Sequence, residues 1–491
     1  MEFLYDGSLG AGALVTLVVA LLFALGFEFV NGFHDTANAV ATVIYTKSLS
    51  ATQAVIWSGS WNFLGVMTSS GAVAFGIVAL LPVELTLHAG SQTAFAMVFA
   101  VLTSAIIWNL GTWYLGLPAS SSHTLIGSIV GVGLMSSYVI NHKLGEGVNW
   151  TSLGQTMLAL LISPVIGFFF SAALLLAAKR LLPNPELHRA PEGKAPSWRV
   201  RGVLVLTCTG VSFAHGSNDG QKGMGLIMLL LIGLAPATFA LDLGTPRHTL
   251  DQALAASKAA VPILAATPAP GPLDDKAADR HLSRFISDGT VDAWTLPSLA
   301  LVNDRVLASL GRVQSITDLS TTDRTHMRRD IYLMDGSVAR LIKLDTLGDA
   351  EAAALDSMTD EWQPLTNYVP AWVKVAVALA LSLGTMIGWK RIVMTVGEKI
   401  GKSHMTYSQG ASAEVVTMAT ISLADTMGVP VSTTHILSSG IAGTMFANRS
   451  GLQMETVRNI VLAWVLTIPA CMLLGSGLFA ACLFVIFRAA V

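Results

Sequence analysis

The chain carries long apolar runs at 9–30, 53–81, 93–116, 123–139, 153–178, 202–239, 368–388, 411–447 and 456–487, most of them long enough for the roughly 20-residue helix that crosses a bilayer. Backbone in hydrocarbon has no water to bond to, so such runs are confined to helices. The predicted fold class is an all-α integral membrane protein, with the lipid bilayer as its surroundings. Composition agrees: 53% of residues are hydrophobic and 12% charged, against roughly 25% charged in a soluble domain, and mean hydropathy is +0.61. Several runs exceed one span or contain Gly, Pro and Ser, which predicts broken helices; 411–447 is interrupted outright.

The first run has no basic segment before it and continues into a polar motif where a secretion signal would place small residues for cleavage. It is read as a retained span. Cys208, Cys471 and Cys482 all lie in apolar segments without metal-ligand spacing. They are read as small buried hydrophobes, with no disulfide expected.

The net charge of −2 says little about partners, and no nucleic-acid partner is expected. Its distribution says more. Lys179, Arg180, Arg189, Lys194, Arg199 and Arg201 cluster in one loop, and Lys390, Arg391, Lys399 and Lys402 in another. Because positive charge stays on the cytoplasmic side, both loops are predicted to be cytoplasmic.

Two motifs occur twice, in the same order. "NGFHDTANA" (31–39) returns as "HGSNDGQKG" (215–223), pairing Gly32 with Gly216, Asp35 with Asp219 and Asn38 with Lys222. "GLPASSSHTLIGSIVG" (116–131) returns as "GVPVSTTHILSSGIAG" (428–443), pairing Pro118 with Pro430 and His123 with His435. From Asp35 to Pro118 is 83 residues and from Asp219 to Pro430 is 211, so 128 extra residues must be inserted in the second half. The sequence turns polar and charged over that stretch, with amphipathic segments at 296–313 and 325–344. The predicted organisation is a transmembrane repeat at 1–180, a basic cytoplasmic linker at 181–200, the start of a second repeat at 201–240, a soluble helical insertion at 241–366, and the rest of the second repeat at 367–491.

Counting spans from the basic loops places both termini and the insertion outside the cytoplasm, and gives the two repeats opposite orientations. Inverted repeats with discontinuous helices are a transporter architecture whose binding site lies at the repeat interface near mid-bilayer.

A charge at the centre of a span costs roughly 2.5–3.5 kcal/mol on insertion scales, and Asp35, Asp219 and Lys222 all stand in such positions, with Glu28 and His34 beside them. Asp219 and Lys222, three apart, share a helical face and could simply neutralise each other, which would leave Asp35 unexplained. Glycines 32, 216, 220 and 223 weaken helix and predict free backbone groups facing a ligand, with Asn38 and Asn218 as neutral donors and acceptors. His34 is a candidate proton carrier, its reference pKa lying near 6.5.

In the second motif, a proline precedes three hydroxyl residues and a new apolar run. Ser and Thr cap helix starts, so each copy reads as the tip of a re-entrant hairpin whose second arm begins at His123 or His435. A helix start offers free N–H groups and partial positive charge, which suit an oxyanion. Two such tips would surround a small anion with hydroxyls and amides and no arginine; plain capping is the alternative. His123 and His435 are candidates to orient the tips. The N-x-[ST] triplets at Asn149 and Asn448 carry no weight.

G-x-x-D-x-x-[NK] twice and P-x-S-[ST]-[ST]-H twice resemble the inorganic phosphate transporter family, and "NGFHDTANAVATVIYT" with "HGSNDGQKG" resembles its bacterial low-affinity permease branch. The resemblance covers roughly 10–240 and 368–490, leaving the insertion outside the family core. It implies a pair of inverted repeats, a homodimer in the bacterial inner membrane, and inorganic phosphate as substrate. Phosphate would be held by Ser120, Ser121, Ser122, Ser432, Thr433 and Thr434, with Asp35, Asn38, Asn218 and Asp219 lining the site.

Sodium-coupled members typically carry G-A-N-D-x-x-N in both halves, whereas His34 and Lys222 replace one Asn in each half here. An ammonium in the place of a sodium ligand can substitute for the cation. Proton symport is therefore favoured, with coupling assigned to Lys222, Asp35, Asp219, His34 and Glu28. The branch also implies phosphate moving as a neutral complex with a divalent metal. No resident metal or cofactor is expected.

Sulfate is the nearest rival, as is sodium-coupled phosphate transport. A carboxylate at the site welcomes monohydrogen phosphate, which has a proton to donate, and repels sulfate, which has none. A membrane hydrolase built from Ser, His and Asp lacks a nucleophile-elbow motif, and a partner-sensing role is conceivable for the insertion alone.

Overall fold

The computed structural model describes residues 11–78, 80, 92–142, 145, 148, 150–191 and 195–489. The two chain ends, Lys194, Asn149 and residues 79 and 81 of the 53–81 run lie outside these residues.

The first half comprises α1 (Ala11–Asp35), α2 (Ala37–Tyr45), α3 (Ala51–Thr68), α4 (Ala72–Val78), α5 (Gln92–Tyr114), α6 (Ser121–Asn141) and α7 (Trp150–Leu181). The second begins with α8 (Trp198–Leu234) and the short α9 (Pro236–Phe239). The insertion follows as α10 (Arg247–Leu264), α11 (Asp275–Asp288), α12 (Thr295–Leu310), α13 (Thr321–Lys343) and α14 (Asp349–Thr366). The chain ends with α15 (Ala371–Ile387), α16 (Lys390–Glu398), α17 (Tyr407–Thr426), α18 (Thr433–Ala447) and α19 (Met454–Ala489).

Among the described residues, four helices are long and apolar enough to cross a membrane, or six if each of two bent pairs is one span. Helices α7 and α19 turn Leu161, Phe169, Phe170, Val465 and Leu473 outward, each more than 60% exposed. An apolar surface of that extent marks a lipid-facing or protein-facing wall. By contrast α18 has only 15 residues, about 22 Å of helix at 1.5 Å per residue, short of a hydrocarbon core about 30 Å thick.

The halves interlock by exchange. Helix α1 packs along α15 of the other half, and its counterpart α8 along α3; α6 packs on α19, and its counterpart α18 on α7. Backbones come close enough at these crossings to exclude a side chain. A Cβ on Gly32 would lie 2.1 Å from the Leu381 carbonyl oxygen, and one on Gly216 would lie 2.2 Å from that of Asn62.

That packing corrects one sequence expectation. The glycines of "HGSNDGQKG" do not break their helix, because α8 runs uninterrupted through them. Each vacant Cβ position is filled by a neighbour, Asn62 at Gly216, Val66 at Gly220 and Glu28 at Gly223, and this contact offsets the roughly 1 kcal/mol that helical glycine costs. The first motif is interrupted by one residue only, Thr36, which keeps helical dihedrals between α1 and α2. The expected break is thus absent from the second copy and confined to one residue in the first.

The insertion has its own core, built from Leu250, Leu282, Phe285, Leu299, Met334 and Trp362 among others. Arg305 fastens its polar side, reaching Asp330 at 2.6 Å and Asp279 at 2.7 Å. Where the chain leaves and re-enters the membrane helices, Asp242 N–H donates to the Leu365 carbonyl at 2.9 Å. Arg328 Nη1 donates to the carbonyls of both Ala240 and Thr366, at 2.9 and 3.2 Å.

Candidate functional site

Each hairpin tip is made the same way. Gly116 and Gly428, at matched positions, take φ of +68° and +66°, a left-handed turn open to glycine at little cost. The chain then reaches a serine N-cap: Ser120 Oγ accepts from His123 N–H and Ser432 Oγ from His435 N–H, both at 3.2 Å. The new helices thus start at Ser121 and Thr433, two residues before the histidines expected to open them.

The six hydroxyls divide their work. Ser120 and Ser432 cap their own helices. Ser122 Oγ donates to the Val431 carbonyl at 2.7 Å and ties one tip to the other. Ser121, Thr433 and Thr434 turn to the first motif: Ser121 Oγ donates to Asp35 Oδ2 at 2.8 Å, Thr434 Oγ1 to Asp35 Oδ1 at 2.5 Å, and Asn38 Nδ2 to Thr433 and Thr434 at 3.0 Å each. His34 completes this side, with Nδ1 3.4 Å from Asp35 Oδ1 and Nε2 3.1 Å from Thr112 Oγ1.

The second motif meets the same point. Ligand atoms of Asp35, His215 and Asp219 lie within 4.8 Å of one another, all three residues buried. Lys222 Nζ is 2.8 Å from Asp219 Oδ2, and both side chains are fully buried. His215 is fixed from behind by Asn62, its Nδ1 being 3.2 Å from Asn62 Oδ1. Asn218 Nδ2 donates to the Val429 carbonyl of the second tip at 3.4 Å. The Oδ1 atoms of Asn38 and Asn218 are buried with no hydrogen-bond partner. Glu28 is also buried, its carboxylate oxygens without hydrogen bonds and its chain pressed on Gly223 beside Lys222.

Sequence reasoning therefore named most of what converges here, but missed His215 and the groups bracing the motifs. Gln221 Nε2 and Ser217 Oγ both donate to Asp425, at 2.6 Å each. Glu414, fully buried, accepts from Thr42 of α2 and Thr207 of α8. The His123 and His435 rings lie 4.4 Å apart, tilted by 39°, and His435 stacks on Trp464 at 4.0 Å, which in turn donates to the Pro118 carbonyl at 3.0 Å. The paired histidines thus sit where the two tips meet. Cys208 and Cys471 are buried free thiols.

Chemically, this is a buried cluster of hydroxyls, amides, two carboxylates, two imidazoles and one ammonium, drawn from both halves of the chain. A family model described as the phosphate transporter family matches residues 31–475.

The chain belongs to the phosphate transporter family.

Among its relatives in that family, the low-affinity inorganic phosphate transporter PitA of Escherichia coli K12 is 40% identical, with 94% of this chain and 96% of that one covered. A low-affinity inorganic phosphate transporter of Buchnera aphidicola is 41% identical over 95% and 96%, and a probable one of Bacillus subtilis 27% over 94% and 96%. These matches run along nearly the whole chain, the insertion included. The fold matches a solved structure titled the sodium-dependent phosphate transporter, with a TM-score of 0.52 at 18% identity over 95% of this chain and 98% of that one. Membership in a family of transporters displaces the hydrolase reading.

Proposed function

We propose that this protein imports inorganic phosphate by proton symport, through alternating access of its two halves around the Asp35 pocket. The observation that carries the reading is the position of Asp35, which accepts hydrogen bonds from both tips and lies with the carboxylate of Asp219 in one cluster. Four elements meet at one carboxylate, two from each half. An oxyanion at that point would find Ser121, Thr433, Thr434, Asn38 and Asn218 as its donors, and a protonated phosphate could donate back to Asp35 or Asp219.

Lys222 supports proton coupling. Its ammonium is a fixed cation against Asp219, where a sodium ion would otherwise balance the charge, so sodium is not needed to neutralise the pocket. Phosphate would also travel as a neutral complex with a divalent metal, the metal held by Asp35, His215 and Asp219, whose spacing suits one ion. On this reading two copies form a homodimer in the inner membrane, with the termini and the insertion outside the cytoplasm.

The test is uptake of radiolabelled phosphate by purified protein in vesicles, with an imposed pH gradient, with and without sodium and magnesium, and with sulfate as competitor. Uptake driven by the pH gradient, indifferent to sodium and resistant to sulfate is expected. Strict sodium dependence would overturn the coupling argument, and equal competition by sulfate would overturn the substrate.

A further inference from the structure

Away from the central pocket, a cavity of about 380 Å³ opens where the insertion meets the membrane helices. Its floor is apolar and belongs to the membrane part: Phe75 and Val78 of α4, with Ile232 near the end of α8 and Pro236 at the start of α9. Its wall is polar and belongs to the insertion, with His326, Arg328, Arg329 and Asp335 from α13 and Gln363 and Asn367 at the neck.

The two arginines of that wall are not equivalent. Arg329 is already spoken for, with Nη2 3.2 Å from Asp279 and 3.8 Å from Asp330. Arg328 is different. It donates to the two neck carbonyls of Ala240 and Thr366, and no carboxylate lies within ion-pair distance of it among the described residues. A guanidinium remains charged in any such setting and presents a fork of five donors, more than two carbonyls use. A part-buried arginine with no anion of its own, beside a histidine and over an apolar floor, is built to receive one. Hydroxyl and amide donors at Thr325, Gln363 and Asn367 line the same space.

We propose that this junction is a second oxyanion site, centred on Arg328, that binds a phosphate group. The ligand chemistry is a tetrahedral phosphate oxyanion, supplied either as free inorganic phosphate or as the headgroup of an anionic phospholipid whose glycerol and acyl carbons rest on Phe75, Val78 and Ile232. Asp335 is the opposing charge in the cavity and sets a limit on affinity. Binding would hold α4, which belongs to the first half, against the insertion, which belongs to the second. Arg328 at the same time clamps the neck through which the insertion joins α9 and α15. The site therefore bridges the two halves without sharing a residue with the central pocket, and neither site's existence depends on the other's.

The experiment uses full-length purified protein carrying Ser121→Ala and Thr434→Val, which remove two of the tip donors at Asp35 and so weaken the central site, with and without Arg328→Gln. Equilibrium binding of labelled inorganic phosphate in detergent forms one arm. Native mass spectrometry after extraction from nanodiscs of phosphatidylglycerol or of phosphatidylcholine alone forms the other. Arg328→Gln is expected to weaken inorganic phosphate binding, or to abolish retention of phosphatidylglycerol, at least tenfold, and the arm that responds names the source. Because Arg328 also holds the neck, His326→Gln and Asp335→Asn are measured alongside, neither of which touches the neck hydrogen bonds. The first should weaken binding several-fold and the second should tighten it. The proposal is overturned if the Ser121→Ala, Thr434→Val protein binds neither ligand, or if binding is unchanged by all three cavity substitutions.

Discussion

The Thr434 hydroxyl donates to Asp35 Oδ1 at 2.5 Å across 399 positions of sequence, and Ser121 donates to the other oxygen of the same carboxylate. Asp35 therefore reads the position of both tips at once. Hydrogen bonds to a charged group contribute about 1.5–3 kcal/mol each, so Asp35→Asn should loosen both tips and abolish phosphate uptake in vesicles while the protein still inserts and purifies as a folded species. Thr434→Val should lower uptake by one to two orders of magnitude. Wild-type rates in either variant would remove Asp35 from the transport site.

Lys222 and Asp219 form a fully buried pair, and removing one partner of such a pair costs about 3–5 kcal/mol because the other is left uncompensated. Lys222→Gln should lower the unfolding temperature and stop uptake driven by a pH gradient. The double variant Asp219→Asn with Lys222→Gln should recover much of the stability and none of the transport. A double variant that transports normally would show the pair to be structural.

Gly216 and Gly202 lie on the same helix and should respond oppositely to alanine. Helix propensity alone favours Gly→Ala by about 1 kcal/mol, and at Gly202, where an added Cβ meets nothing within 4 Å, that gain should appear. At Gly216 the Cβ would lie 2.2 Å from a backbone oxygen, and overpacking of this kind costs about 1–3 kcal/mol. Thermal unfolding of the two variants in detergent tests the sign of each.

Asp335, in the cavity wall, has its carboxyl pushed up to about 6, first by loss of solvation and then by the charges of Asp360 and Asp356. A group whose folded value is raised binds its proton more tightly when folded, so its contribution to stability falls as pH climbs from about 4 to about 6. Asp335→Asn should raise the unfolding temperature at pH 7 and narrow the gap between pH 4.5 and pH 7. An unchanged pH profile would show that the carboxyl is not strained.

How much of this was legible beforehand depended on repetition. Asp35 and Asp219, or Ser121 and Thr433, could be recognised because each occurs twice in matched surroundings, and an internal repeat filters noise from a single sequence. Glu414 had no such echo. The residue as far ahead of Pro118 as Glu414 is ahead of Pro430 is Leu102, and the positions matching Thr42 and Thr207 in the other half are Leu226 and Phe23. Glu414 and Thr207 of the second half with Thr42 of the first thus form a carboxylate between two hydroxyls, while the three matched positions carry apolar side chains, two of them in the main core and the third packed on it. His215 was invisible for the same reason, since Asn31 stands at its matched position. The glycines were seen but misread, because sequence reports their weak helix propensity and not the neighbouring backbone that fills the space they leave.

The hydrogen bonds that Asp35 accepts from Ser121 and Thr434 also mean that the donors an arriving oxyanion needs are occupied by a carboxylate belonging to the protein itself. On the proposed reading Asp35 is a tethered competitor, which phosphate would have to displace before it gained those hydroxyls. Self-occupancy of this kind would lower affinity and speed release, and it separates two quantities that usually move together. In Asp35→Asn, with the competing charge gone, the pocket should hold phosphate at least as tightly as before and carry it nowhere.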